Sequence, residues 1–358
     1  MDAHRPSLDP AVAEVRLAVR RALAAVPSGS TVLVALSGGA DSLALTAATA
    51  FEAAKLGLAV ASITVDHGLQ PDSSEVAETA AQTATSLGIA AVVARVNVGE
   101  DGGPEGAARA VRYRAIREAV ADAGATAVLV GHTLDDQAET VLLGLARGSG
   151  GASLQGMAAA GPLPAEAPGE AAAASRGRAG TALDGVLLLR PLLEVRRVTT
   201  RAACVAEGLE PWDDPHNVDP RFTRVRVRET VLPVLEAELG PGIAEALART
   251  AAQLREDAEA FDEMIEETIE DIVEHAEAGI SVSVAALAAN PAALRHRIIR
   301  HVVAAEFGES LTRVQTLEVA RLVTDWSGQG PIDLSACRVR RVAGRLEFTS
   351  RHAHPTTL

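Results

Sequence analysis

The chain has 358 residues, is 48% hydrophobic and 22% charged, and carries a formal net charge of −14. This length and apolar content fit two globular domains with a sizeable core and exclude a wholly disordered chain. No run approaches the roughly 20 apolar residues of a membrane helix, and the N-terminal MDAHRPSLDP lacks a basic flank leading into a long apolar stretch. Cys204 and Cys337 form no CxxC, so neither a disulfide framework nor a cysteine metal site is indicated. A soluble, cytoplasmic protein is expected.

In chain order, residues 10–25 read as a helix. Apolar strand-like runs then occur at 31–36, 59–65, 91–96 and 126–130, with room for helices between them. Continuous rather than alternating apolar strands in a βαβα rhythm predict a parallel, doubly wound sheet covered on both faces. Its ligands would bind beyond the strand carboxyl ends, in loops starting near Ser37, Asp66, Asn97 and Gly131. Residues 158–180 are rich in Ala, Gly, Pro and Glu without periodicity and read as a mobile loop. VLLLRPLL at 186–193 resumes strand character, and 194–207 read as a helix.

From about 229 the organisation changes. Leu247, Leu254 and Phe261 recur every seventh residue beside a second row of Ala251, Ala258, Ile265 and Ile272, which predicts a long amphipathic helix over 243–275 with an acidic outer face. A helical stretch over 284–325 and a hairpin-like CRVRRVAGRLEFT complete a second, mainly helical α+β domain. The expected division is 1–228 for an α/β catalytic domain, 229–350 for a substrate-binding domain and 351–358 for a tail.

The negative charge is localised. Residues 229–278 hold 15 acids against Arg249 and Arg255, whereas 190–228 carry eight arginines against six acids and 279–358 carry ten against six. Two basic segments therefore survive in an acidic chain, nearly all of it guanidinium because Lys55 is the sole lysine. Guanidinium suits bidentate phosphate contacts; a biased genome composition would produce the same pattern.

The stretch VLVALSGGADSLAL (32–45) places a Gly-Gly turn between a strand and a helix. It is not a Walker loop, because no lysine follows. What it offers is a backbone that approaches an anion closely and a helix N-terminus with free N–H groups. Ser37, Gly38, Gly39, Ala40, Asp41 and Ser42 are the expected nucleotide-phosphate residues. Asp41 would repel phosphate unless a cation intervened, which assigns it to Mg²⁺ or to orienting the nucleotide. An ordinary capped turn is the simpler alternative for Gly-Gly alone.

SGGADS resembles the loop of the PP-loop ATP pyrophosphatases. With VDHGLQPDSS (65–74), AARAVRYRA (107–115), GHTLDDQAET (131–140), RGSG (147–150), RPLL (190–193) and GLEPWDDPHNVDPRFTRVRVRETVLPVL (208–235), the chain is similar to the tRNA(Ile)-lysidine synthetases over about 30–235. Residues 243–348, including DWSGQGPIDL, are similar to that family's substrate-binding domain; no counterpart of the further C-terminal domain of longer members is expected. The chain departs from the family at Gln70 (arginine there), at Val225 (asparagine) and by Pro215-His216 within a DxxN stretch.

The resemblance implies ligation of free lysine to C2 of the wobble cytidine of a CAU-anticodon tRNA(Ile). ATP would first adenylate the cytosine oxygen; AMP and pyrophosphate are released, and decoding and charging change from AUG and methionine to AUA and isoleucine. Asp41, Arg112, His132 and Asp136 are the expected catalytic residues. Arg109 and Arg112 lie three apart on one helical face; Arg112-Tyr113 matches the family's pair, while Arg109 also reads as a solvated helix arginine. Asp135, Asp136 and Glu139 are expected to hold the lysine ammonium or a metal, with helix capping accounting for one of them. His132 reads equally as a nucleotide or proton contact and as a structural residue. Arg190, Arg196, Arg197, Arg201, Arg224 and Arg228 would bind the tRNA backbone, and Trp212 would stack on a base or pack at a junction. A homodimer is compatible with the sequence. The rival readings are a PP-loop tRNA thiolase, for which cysteine pairs are lacking, and a nucleotide-binding regulator without turnover.

Overall fold

The structure is a computed structural model describing residues 8–351 except 69, 71, 98–103, 149, 165–184 and 277–278. The described residues form two compact units, one up to Leu254 and one from Arg255.

The first unit begins with α1 (Pro10–Leu23), β1 (Thr31–Ala35), α2 (Ala40–Leu56), β2 (Ala59–Asp66), α3 (Ser73–Ser86), β3 (Ala90–Arg95), α4 (Pro104–Ala123), β4 (Ala125–Leu129) and α5 (Leu134–Arg147). Asp9 caps α1 by accepting the Ala11 N–H, Pro10 takes the first helical position, and Val12, Val15, Val19 and Leu23 bury one stripe. There follow α6 (Gly151–Leu154), β5 (Ala160–Pro162), β6 (Leu187–Leu189), α7 (Arg197–Ala206), a 3-10 turn at Pro215–Val218, α8 (Thr223–Arg226), a π-helical turn at Val227–Val231, α9 (Leu232–Leu239) and the start of α10 (Ile243–Ile272).

The sheet order is β3-β2-β1-β4-β6-β5, parallel throughout except for the edge strand β5. Successive residues of β1 feed opposite faces: Val32 and Val34 join a core with α1, α2 and α7, while Leu33 joins Tyr113 and Ile116 of α4. This is the expected doubly wound arrangement, and it explains why β1 reads as unbroken apolar sequence.

Several boundaries differ from the sequence reading. Residues 160–162, inside the expected mobile loop, pair with β6, whereas residues 165–180 lie outside those described. The strand expected over 186–193 stops at Leu189, because Pro191 has no N–H for a ladder. The acidic segment from 229 does not open the second unit: Val227, Leu232 and Ala244 pack with Leu134 and Ala138 of α5. Along α10 the row Ala244, Ala251, Ala258, Ile265 and Ile272 is buried, as its seven-residue spacing predicts.

The second unit contains the rest of α10, β7 (Val273–Ala276), β8 (Gly279–Ser283), α11 (Val284–Ala289), α12 (Ala292–Phe307), α13 (Arg313–Thr324), β9 (Ile332–Asp333), β10 (Cys337–Val342) and β11 (Arg345–Ser350). Its strands form an antiparallel sheet in the order β7-β8-β11-β10-β9. The expected hairpin is β10–β11, with Ala343 (φ 46°) and Gly344 (φ 80°) both left-handed, as a two-residue turn with matching strand twist requires. The single helical stretch expected over 284–325 is three helices, broken at Pro291 and at Gly308 (φ 65°). Ile298, Ile299, Val302 and Val303 of α12 pack with Val339, Leu346 and Phe348 of the sheet in one core. No helix among the described residues is long and apolar enough to cross a membrane.

Candidate active site

β1 is flanked by β2 on one side and β4 on the other, so the direction of winding reverses between β1 and β4. A doubly wound sheet opens a crevice at that point, outside the strand carboxyl ends. The residues after β1 are Ser37–Ser42 and those after β4 are Gly131-His132. Gly38 turns the chain at φ 84°, and Gly39 precedes α2 with no side-chain cap, which leaves the first-turn N–H groups of α2 to a ligand. The Ser42 hydroxyl accepts from the Ser37 N–H (3.1 Å) and donates to the Gly39 carbonyl (2.9 Å), fixing the loop. Gly131 backs directly onto this loop: a Cβ there would lie 3.1 Å from the Asp41 carbonyl carbon and the Ser42 nitrogen. The two motifs, 90 residues apart in sequence, are in van der Waals contact.

These residues line a cleft of about 870 Å³, together with Asp66 at the end of β2 and His67 after it, Arg112 and Tyr113 of α4, Asp136, Arg197 and Arg228. Trp212 forms another part of the wall, its N–H donating to the Gly38 carbonyl at 3.0 Å. Arg112 lines the cleft from an exposed position on α4, with no carboxylate partner among the described residues. Desolvation and the cations Arg109 and Arg224 pull its pKa down. The Arg109 guanidinium lies over the Tyr113 ring, 5.4 Å from its centroid. His132 is pushed down to about 4 by burial and by Arg190, Arg112 and Arg109, against the pull of Asp136. It is therefore a neutral imidazole at neutral pH. His67 is lowered for the same reasons, burial first and Arg112 second. The Nδ1 atoms of both histidines are buried and unpartnered.

The acids behave differently from a simple ammonium-binding group. Asp136 accepts the N–H and hydroxyl of Thr133 (both 2.8 Å), forming a capping box at the start of α5, and pairs with Arg197 at 2.7 Å. Burial works to raise its pKa, but Arg197 and the Thr133 hydrogen bonds win, and it stays low. Asp135 pairs with Arg196 at 3.0 Å and accepts the Arg197 N–H at 2.8 Å. Glu139 is 0% exposed and clamped between Arg228 (2.7 Å) and Arg197 (3.4 Å). Of the three, Asp136 lines the cleft while Asp135 and Glu139 do not. Asp41 accepts from the Thr200 hydroxyl and from Arg197 at 3.3 Å. Its pKa is raised, chiefly by burial, with Asp136 adding to the rise.

The arginines expected along a tRNA backbone separate into classes. Arg196, Arg197 and Arg228 turn into the acidic cluster, Arg196 also pairing with Glu245. Arg190 donates to the Ala158 carbonyl (2.8 Å), and Arg201 pairs with exposed Asp213. Arg224 has no acidic partner among the described residues and belongs to the field around Arg112. Arg196 and Arg197 turn inward because α7 starts beside the first turn of α5, where Asp135 accepts the Arg197 N–H, and Arg228 reaches the same acids from the π-helical turn.

Sequence reading assigned no role to Thr200, Asp66 or His67. Thr200 is three residues after Arg197 on the buried face of α7, a weak signal; Asp66 and His67 sat in a quoted motif at a strand end, a stronger one. Asp66 is buried and accepts from Ser74 (2.6 Å) and the Gly68 N–H (3.0 Å). Gln70, where the resemblance implies arginine, donates to Asp214 at 2.8 Å and lies 3.2 Å from the His216 ring. Cys204 is buried beneath the loop, its thiol donating to the Ala40 carbonyl.

Residues 14–235 match the family model of a PP-loop domain, and residues 283–347 match that of a TilS substrate-binding domain. A tRNA(Ile)-lysidine synthase of Leifsonia xyli is 56% identical over 331 residues, covering 92% of this chain and 91% of its own. Its counterparts in Salinispora tropica and Thermobifida fusca are 48% and 47% identical, covering 95% and 94% of this chain and 97% of theirs. A solved U34-tRNA thiolase NcsA from Methanococcus maripaludis is similar in fold at TM-score 0.54 and 17% identity, over 69% of this chain and 79% of that one. A PP-loop at the β1/β4 switch point, an unpaired arginine in the same cleft and identity of about half along nearly the whole chain lead to one assignment: the chain belongs to the tRNA(Ile)-lysidine synthase family.

Proposed function

We propose that the first unit adenylates the O2 of the wobble cytidine of a CAU-anticodon tRNA(Ile) with ATP and then transfers free lysine to C2. In the first step the cytosine oxygen attacks the α-phosphorus and pyrophosphate leaves. In the second the lysine side-chain nitrogen attacks C2, the C2–O bond breaks and AMP departs with that oxygen. The observation that carries this reading is the convergence of the α2 N-terminus, Arg112 and Asp136 on one cleft. The α2 N–H groups would hold the departing pyrophosphate, and Arg112 would offset charge developing on the α-phosphoryl group. Neutral His132 can accept a proton from, or a hydrogen bond of, the attacking amine.

Asp136, the cleft-facing acid, would take the lysine ammonium. Asp135 and Glu139 then act behind it, holding Arg196, Arg197 and Arg228. Asp41 is the expected Mg²⁺ residue, yet its carboxylate is engaged by Thr200 and Arg197, and no group of three potential ligands converges among the described residues. The protein's donors as arranged among the described residues do not by themselves form a resident metal site. The first unit would carry the chemistry and the second the rest of the tRNA contact, with Arg224, which pairs with no carboxylate among the described residues and whose charge is felt at Arg112, open to phosphate. A cytoplasmic location fits such a substrate.

The decisive experiment follows AMP and pyrophosphate release together with mass analysis of the tRNA nucleosides. Turnover dependent on both lysine and the CAU-anticodon tRNA(Ile), with lysidine formed, is expected. ATP turnover without lysine incorporation by folded protein would overturn the assignment.

A further inference from the structure

Asp41 sits where a carboxylate would close the phosphate loop. An aspartate in the first turn of a helix ordinarily leans on the free N–H groups there, which carry the positive end of the helix dipole. Asp41 holds that place in α2, which starts at Gly39 without a side-chain cap. Folded back, its carboxylate would occupy the N–H groups that an anionic ligand needs. It is turned the other way: Oδ1 accepts from the Thr200 hydroxyl and Oδ2 from Arg197 Nε at 3.3 Å.

Thr200 is fully buried and does not line the cleft, so its hydroxyl answers to the protein alone. Thr46, Thr49 and Thr316, also buried, donate to the carbonyl four residues back in their own helix. The Thr200 hydroxyl lies 2.8 Å from the Arg197 carbonyl as well, but it has one proton, and the charged acceptor takes it. Its neighbours on α7 reinforce the hold. Arg197 lies three residues before Thr200 and Cys204 four after it, on one face of the helix, and the Cys204 thiol donates to the Ala40 carbonyl at 3.3 Å. Arg197 is itself fixed by Asp136 at 2.7 Å. One face of α7 thus grips Ala40 and Asp41, the first two residues of α2.

We propose that Thr200 is a positioning residue for ATP: by holding the Asp41 carboxylate against α7, it keeps the N–H groups at the start of α2 open to the pyrophosphate portion of the nucleotide. Thr200 itself touches no substrate. The inference rests on the ATP-using reading of the cleft and adds to it a residue from a different helix. With the hydroxyl gone, Asp41 keeps only Arg197 and is free to swing onto the helix start. There it competes with the phosphates for the N–H groups and repels them.

The test uses the full chain. Thr200→Val keeps the branched shape and loses the donor, Thr200→Ser keeps the donor, and Thr49→Val is a control that loses a buried threonine bond two turns further along α2. Binding of pyrophosphate and of AMP, each alone, is measured by titration calorimetry, alongside initial rates of lysidine formation. Thr200→Val should weaken pyrophosphate binding and raise KM for ATP about tenfold, the equivalent of one helix-cap contact, while Kd for AMP, kcat at saturating ATP and KM for tRNA stay within about twofold. Thr200→Ser should restore pyrophosphate binding, and Thr49→Val should leave it unchanged. If Thr200→Val does not fold, Thr200→Ala removes the same donor with less bulk and is expected to show the same split. Pyrophosphate binding and KM for ATP unchanged without the hydroxyl, or equal losses of pyrophosphate and AMP binding, would overturn the positioning role and leave the function intact. Wild-type protein that forms no lysidine would instead overturn the functional reading.

Discussion

Glu139→Gln separates a lysine ligand from a brace. Glu139 is 0% exposed, and its oxygens face Arg228 Nε at 2.7 Å and Nη2 at 3.2 Å, with Arg197 at 3.4 Å. The amide keeps the volume and one acceptor but removes the charge. Arg197 retains Asp136 and Asp41, whereas Arg228 is left with only Asp136, at 3.7 Å. Removing one partner of a buried pair costs about 3–5 kcal/mol. Arg228 is 24% exposed, so water recovers part of this, and we expect a loss of about 2–3 kcal/mol. For a unit of this size that is a fall in Tm of about 4–12 °C. Urea unfolding of Glu139→Gln, Arg228→Gln and the double variant would be followed by circular dichroism. A coupling energy of about 1–3 kcal/mol is expected because the residues share one contact network. Additive losses, or an unchanged midpoint accompanied by a hundredfold rise in KM for lysine, would refute the brace and return Glu139 to the ligand set.

Asp41→Asn should abolish adenylation, read as pyrophosphate release, while leaving tRNA affinity within about twofold, because Asp41 faces Arg197 and Thr200 rather than a surface; collapse of tRNA binding would contradict this. His132 has its pKa lowered to about 4. The unfolded chain therefore binds this proton between its ordinary value near 6.5 and about 4 while the folded chain does not, so His132 takes stability away as pH falls through that window. Replacement by asparagine should make the acid limb of the stability curve shallower, and the wild-type rate should show no His132 inflection near 6.5. Gly131→Ala places a Cβ 3.1 Å from the Asp41 and Ser42 backbone. Neither backbone atom can step aside alone, so a KM for ATP raised about tenfold is expected, against little change in KM for tRNA; an unaffected KM would show that the loop tolerates displacement.

The strand positions, the parallel class and the phosphate loop were legible because they rest on local signals. A strand buried on both faces must be apolar throughout, as Val32–Val34 are, and a sharp strand-to-helix turn at positive φ calls for glycine, as at Gly38. The seam of α10 was legible for the same reason, its seven-residue row being a property of one helix. Element ends were less so, since Pro191, Pro291 and Gly308 act within a residue or two of where periodicity still reads as continuous. What the local pattern could not contain was partnership. Arg196, Arg197 and Arg228 look identical to Arg224 in a string of basic residues, and only the packing of α7 and the π-helical turn against α5 decided that three of them neutralise Asp135, Asp136 and Glu139 while Arg224 does not. The same holds for Asp136, which the sequence offers equally as cap and ligand and which the fold makes both a cap and a cleft-lining acid. Charge type and motif order were set along the chain; which charges cancel, and which remain to meet a phosphate, depended on contacts between residues 60 to 160 apart.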